Sequence, residues 1–307
     1  MTVKTSMCFK VALILLLIIF GLHLKAVPGQ AEEEFTIVTT FTILEDFTRA
    51  VTGERGDLRV ICPVGAEVHE WELLPGNFID LEEADIVLYN GLNVEQWMQQ
   101  VRAVVGSEVP VIAVGEESDF PLLPITTGDY AGDPDPHIWM DVRGAISYVE
   151  VIREALIAHN SEQEASYREH AREYISELGE LHRRLKKKLA VIPERDRVLI
   201  TTEAAFIYFA ESYGFVHDGV WGTNTEEEGT PRQLQRILQV IEDREPAGIF
   251  WESTVSDRYM LSMGEDTGVP VYGPLYVDSL AASGTGLEGY VDMMEHNARL
   301  LVRVLGP

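Results

Sequence analysis

The sequence predicts an α/β protein, with two Rossmann-like lobes of mainly parallel sheet joined by one long rigid α-helix. Two features predict it. Short β-branched runs alternate with amphipathic helical runs both before residue 160 and after residue 193, the pattern of parallel sheets with crossover helices. Between them, residues 161–192 (SEQEASYREHAREYISELGELHRRLKKKLAVI) carry one apolar stripe, in which Tyr167, Ala171, Tyr174, Leu178, Leu181, Leu185 and Ile192 recur at helical spacing.

That central stretch has every helix signal. Ser161 followed by Glu164 forms a capping box, basic residues crowd 183–188, and Pro193 ends the run. A helix of that length, about 45–50 Å at roughly 1.5 Å per residue, is longer than one ordinary domain is wide. It is therefore expected to span two.

In chain order, Lys4 and Lys10 precede an apolar run at 11–22, and Gly29, Gln30 and Ala31 precede the acidic Glu32. This is the layout of a secretory signal peptide cleaved after Ala31, so residues 1–31 are read as the signal. An uncleaved anchor is the alternative, although the run is about half the roughly 20 residues needed to span a bilayer. The first lobe, 32–160, has expected strands at 36–39, 58–62, 85–89 and 109–114. Helices begin near Ile43, near Asn77 and at Asn93 as N-cap, and one covers 142–158. The second lobe, 193–307, has expected strands at 197–201, 217–221, 248–251 and 269–272, and helices at 204–213, 232–242, 256–266 and 289–305.

Composition excludes some functions. The formal net charge is −26, and loss of a signal holding three lysines and no acid makes it three units more negative, which argues against a nucleic-acid partner. Cys8 precedes the apolar run, so it is not a lipidation cysteine. Cys62 is left alone in the mature part, without a partner for a disulfide, and is read as a small core residue.

Ligands of α/β sheets collect beyond the carboxyl ends of the strands. Four residues stand there: His69 in AEVHEWE, His137 in GDPDPHIWMD, Glu203 after the strand at 198–201, and Asp278 after the strand starting near 269. Two come from each lobe, and two imidazoles with two carboxylates can close around a divalent first-row transition metal. Each also has an ordinary reading. His69 alone is a loop histidine, and His137 lies among Asp133, Asp135 and Asp141, with Trp139 able to wall off solvent. Glu203 suits a helix N-terminus, and Asp278 suits a turn cap. His159, His170, His182 and His296 are expected to face solvent, and His217 begins a strand.

The runs VTTFTILEDF, VHEWELLPGNFIDLEEADIVLYNGLNVE, DPHIWMDV, TTEAAFIYFAESYG, TNTEEEGTP and IFWESTVSDRYM through YVDSLA together resemble the solute-binding proteins of ABC importers for manganese, zinc and iron. The similarity runs from about Phe35 to the C-terminus. It implies two lobes on one rigid helix and a single divalent metal in the cleft, held by His69, His137, Glu203 and Asp278. It also implies a permease and its ATPase as partners. Zinc-specific members typically have His as third ligand and a His-rich loop before the second. Here Glu203 stands at that position and 116–135 has no His, which resembles the manganese type, as does TNTEEEGTP. Leu73 and Asn77 depart from the common Pro and Asp, and neither is a ligand. The Cys that lipoprotein members carry after the signal run is absent.

The expected function is capture of one Mn²⁺ (or Zn²⁺ or Fe²⁺) outside the cytoplasmic membrane, in the periplasm or at the membrane's outer face, by a monomer that delivers it to the permease. A carboxylate in place of an imidazole makes the site harder, which suits Mn²⁺, although Zn²⁺ binds most such sites more tightly. The alternatives are a zinc-specific protein of the same type and a secreted metal-dependent hydrolase. A hydrolase needs an open coordination position and a general base, and four protein ligands leave little room for water. No repeat or aromatic cluster points to an adhesin. The stiff connection predicts metal release by small lobe tilts rather than wide opening.

Overall fold

The structure, a computed structural model, describes residues 35–53, 55–223 and 229–307. The signal reading of 1–31 and the centre of TNTEEEGTP lie outside them. The described residues up to 160 form strand β1 (Thr36–Thr39), helix α1 (Thr42–Thr52), β2 (Asp57–Val60), α2 (Pro75–Glu82), β3 (Ile86–Tyr89), α3 (Met98–Val104), β4 (Val111–Ala113) and α4 (Val142–His159). All pairings are parallel, in the order β2-β1-β3-β4. β1 (TIVT) and β3 (IVLY) are buried along their whole length, as strands covered on both faces must be.

Helix α5 (Glu164–Leu189) then leads to β5 (Val198–Glu203), α6 (Ile207–Tyr213), β6 (Val216–Trp221), α7 (Pro231–Arg244), β7 (Ile249–Glu252), α8 (Arg258–Thr267), β8 (Val271–Leu275) and α9 (Tyr290–Leu305). Here β5 pairs with β6 and β7 with β8, again in parallel. Among the described residues no helix is long and apolar enough to cross a membrane.

The long helix is shorter than its sequence pattern. Residues Ser161–Gln163 make a 3-10 turn, the α-helix starts at Glu164, and the expected Ser161 capping box does not form. The reason is the tight link from α4: Asn160 already caps that helix at its C-terminal end, in a backbone conformation that is neither helical nor extended, and Ser161 has only three residues in which to reverse the chain. At the other end the helix stops at Leu189. Arg197 donates to the carbonyl oxygens of Ile192 at 3.0 Å and Ala190 at 3.5 Å, meeting acceptors that end-of-helix geometry leaves open. With 26 residues the helix is about 39 Å long.

The third helix of the first lobe also differs. It starts at Met98, not at an Asn93 cap, because Leu92 and Asn93 adopt left-handed backbone (φ 53° and 65°) and Glu95 folds back into the sheet. The Glu95 carboxylate accepts from Thr40 Oγ1 (2.6 Å), Asn90 N (2.8 Å) and Gly91 N (3.1 Å), tying the ends of β1 and β3 where the strand order reverses. Asn77, a departure from the resembled pattern, is buried and accepts from Leu74 N at 2.9 Å while donating to Ile61 O. It anchors the loop that ends at α2.

Tyr167, Ala171, Leu178, Leu181, Leu185 and Leu189 of α5 are buried, and they belong to the same apolar core as β1, α1, α4, α6 and α9. A smaller core under β5–β8 holds Val198, Ile200, Trp221, Ile237 and Met260. The main core therefore runs from the first lobe through the helix into the second. Three histidines expected at the surface are partly buried instead: His170 contacts Val51 O, His182 packs on Tyr213, and His296 contacts Pro274 O, because the helices that carry them are covered by neighbours. His159 is exposed as expected, and Cys62 is a buried free thiol.

Candidate metal centre

His69 is carried by the loop after β2, and His137 by the loop between the short helix Val114–Glu117 and the turn Ile138–Met140. Glu203 is the last residue of β5, which runs two residues past its expected end at 201 and so includes it, and Asp278 follows β8. All four are buried, between 0% and 6% exposed. Their donor atoms converge. A donor atom from each of His69, His137 and Glu203 lies within 4.8 Å of the others. His137 Nε2 is 3.3 Å from Asp278 Oδ1, and His69 Nε2 is 3.8 Å from Glu203 Oε1. Ligands about 2.0–2.2 Å from one ion stand about 3–3.5 Å from each other; His137 and Asp278 have that spacing, and the other donor atoms stand wider, within the reach of small side-chain movements.

The polar atoms are orphaned. His69 Nδ1 and Nε2, His137 Nε2, Glu203 Oε1 and both Asp278 oxygens are buried with no hydrogen-bond partner, and the 3.3 Å approach of His137 to Asp278 is not an aligned hydrogen bond. Leaving such groups unsatisfied is costly unless a cation answers them. The proton affinities show the same tension. Burial, then the Asp278 charge, pushes the Glu203 carboxyl well above the usual range. Burial opposes a proton on His137, but Asp135 and Asp278 outweigh it and raise its pKa well above that of a free imidazole. Burial alone would raise Asp278, yet His137 and His69 hold it below its ordinary value.

The scaffold that aims these side chains comes from both lobes. Asp135 Oδ1 accepts from His137 N at 2.9 Å and lies 3.3 Å from its Nδ1, while Asp135 Oδ2 accepts from Thr223 Oγ1 at 3.2 Å. Asn90, at the end of β3, donates to Pro136 O (3.3 Å) just before His137. Trp139 stacks edge-on to His137 with centroids 5.1 Å apart and donates to Val277 O at 2.9 Å, beside Asp278. Gly144 must be glycine, because a Cβ there would stand 2.3 Å from Ile138 O in the turn after His137. Across the cleft, Gly65 N donates to Ser279 Oγ (2.7 Å) and Leu280 N to Thr42 Oγ1 (2.9 Å).

The four residues expected from strand-end positions are thus brought together. Two supporting acids escaped that search. Glu252, last in β7, accepts from Thr202 N (3.0 Å) and Glu203 N (3.1 Å), and burial pushes its carboxyl up to about 8. The strand-end rule itself flags it, since the expected strand stops one residue before. Glu67 lies two residues before His69 and groups with His69 and Asp278, donor atoms within 4.8 Å.

The profile of the family described as ZnuA, zinc-uptake complex component A, periplasmic, matches residues 37–304. The chain belongs to this family. It is 36% identical over 270 residues to the manganese-binding lipoprotein MntA of Halalkalibacterium halodurans, with 88% of each chain covered. It is 32% identical over 279 residues to the iron-binding protein YfeA of Yersinia pestis, covering 91% of this chain and 89% of the relative. The periplasmic zinc binding protein TroA from Treponema pallidum superposes with a TM-score of 0.82 at 27% identity, covering 88% of this chain and 99% of that one. The chain is accordingly an exported metal-binding component of an ABC importer and not an enzyme, which sets aside the hydrolase alternative. Its fold is the family's two-lobe α/β arrangement with a long helix.

Proposed function

We propose that the protein captures one Mn²⁺ through His69, His137, Glu203 and Asp278 and delivers it to a membrane permease driven by an ATPase. The observation that carries this reading is the convergence of buried donor atoms from those four side chains, none of the facing atoms having a hydrogen-bond partner. Two carboxylates and two neutral imidazoles balance a divalent charge, and hydrogen bonds such as Gly65 N to Ser279 Oγ and Thr223 Oγ1 to Asp135 tie the elements that bear them across the lobes. Carboxylate in the third position makes a harder site, in keeping with Mn²⁺ or Fe²⁺, and MntA and YfeA are named for those ions. A zinc-specific reading draws on the family description and on the likeness to TroA.

We read the chain as signal peptide 1–31, first lobe 32–160, linking helix 161–192 and second lobe 193–307, acting as a monomer. Cys8 precedes the apolar run and Cys62 is buried in the fold, so this reading has no lipid attached, unlike the relatives named as lipoproteins. A core shared by both lobes and α5 supports release by small tilts and loop movement. Calorimetry with purified protein tests the site: one equivalent of Mn²⁺ binds, and His137→Ala abolishes it. No divalent ion bound at one equivalent, or full binding by the variant, refutes the proposal. Metal analysis of protein isolated from its own host distinguishes manganese, iron and zinc.

A further inference from the structure

Five acidic or imidazole side chains, not four, meet at the cleft. Glu67 places a carboxylate oxygen 4.0 Å from His69 Nε2, and with Asp278 the three offer donor atoms within 4.8 Å of one another. This group overlaps the inner one of His69, His137 and Glu203, sharing His69. The two differ in exposure. The Glu67 side chain is 28% exposed, whereas those of His69, His137, Glu203 and Asp278 are between 0% and 7%. The His69 Nε2 that stands nearest Glu67, and both oxygens of Asp278, are buried and without hydrogen-bond partners.

We infer that Glu67 is the entry ligand: a divalent ion is first held by Glu67, His69 and Asp278, then passes inward to His137 and Glu203 while Glu67 lets go. The inference rests on the four-residue site proposed above. Charge favours it, because the outer set (Glu67, Asp278, neutral His69) and the inner set (Glu203, Asp278, two neutral imidazoles) both carry two negative charges. The ion therefore crosses no electrostatic step between them. Glu67 also has a resting place when it lets go, since its Oε1 accepts from His69 N at 3.0 Å. An ion that must shed its water to reach a buried site meets the partly exposed Glu67 side chain before it meets the buried His137 and Glu203.

A ligand that acts on the route and not in the final site alters entry and exit alike. Stopped-flow mixing of the mature protein with Mn²⁺, and release of bound Mn²⁺ to a chelator, reads both rates. Glu67→Gln keeps an oxygen to accept from His69 N and removes the charge. The expected result is association about tenfold slower, the low end of the effect of charged clefts on association, with release slowed by a similar factor and the equilibrium constant changed less than about threefold. Glu67→Asp recovers part of both rates. Glu70→Gln, which removes an exposed acid from the same loop, leaves them within about twofold. Unchanged rates in Glu67→Gln, or faster release at an unchanged association rate, overturn the inference and leave the four-residue site standing, since the first makes Glu67 dispensable and the second makes it only a support for His69. Wild-type protein that binds no Mn²⁺ at one equivalent overturns the site and the inference together.

Discussion

Asp135→Asn isolates the contribution of the buried acid behind His137. The substitution conserves shape: the amide oxygen can still accept from His137 N (2.9 Å), and the amide nitrogen faces Thr223 Oγ1 (3.2 Å), whose hydroxyl can turn to Ala204 O, also 3.2 Å away. What is lost is the negative charge beside His137 Nδ1. Removing such a partner of a metal-binding histidine costs about 10–100-fold in affinity, or roughly 1.4–2.7 kcal/mol. The pH dependence has a definite sign. Burial disfavours a proton on His137, and Asp135 is the foremost group that restores it. The variant's imidazole therefore holds its proton less tightly, so protons compete less with the metal at low pH and part of the loss is recovered there. The affinity deficit should widen as the pH rises from about 5 to about 8. Competition with a chelator of known affinity at several pH values measures it, and circular dichroism confirms the fold. An affinity within twofold of wild type, or a deficit that widens on acidification, refutes the assignment of Asp135 to orienting and charging His137.

Leu178→Ala, which opens a cavity where α5 is fully buried, should cost about 3–5 kcal/mol and lower the melting temperature by roughly 5–15 °C in a thermal scan; a shift below about 2 °C contradicts the shared core. Burial raises the Asp46 carboxyl from 3.8 to about 6, against hydrogen bonds from Tyr290 N and Tyr174 OH. Its contribution to stability is present below about pH 4 and lost as the pH rises through about 6, so Asp46→Asn should flatten the change in urea midpoint across that window, and an unaltered slope argues against it. Glu203→His replaces a hard ligand with a softer one and should raise the ratio of Zn²⁺ to Mn²⁺ affinity in paired titrations; an unchanged or falling ratio counts against Glu203 as a ligand.

The α/β alternation and most strand positions were legible because burial on both faces writes itself into short β-branched runs such as TIVT and IVLY. Strand-end position pointed to His69, His137, Glu203 and Asp278, since side chains there have few places to go but the cleft. Helix ends follow local cap chemistry less closely. Ser161 and Asn93 carry cap chemistry that neighbouring chain overrides, through the tight α4–α5 link and through Glu95 turned into the sheet. The supporting acids were least legible. Asp135 was visible only as one of several acids near His137, and nothing local tells it from Asp133 until Thr223 and Tyr208 of the second lobe close over it. Glu252 and Glu67 act on residues 49 positions away and two positions away, and both depend on the register of strands and the path of a loop. The sequence by itself determined which elements form and which side chains are available as donors, because those follow from periodicity and residue chemistry. Only the tertiary structure decided which atoms face one another, because burial, orphaned donors and shifted proton affinities arise from groups that meet across two lobes.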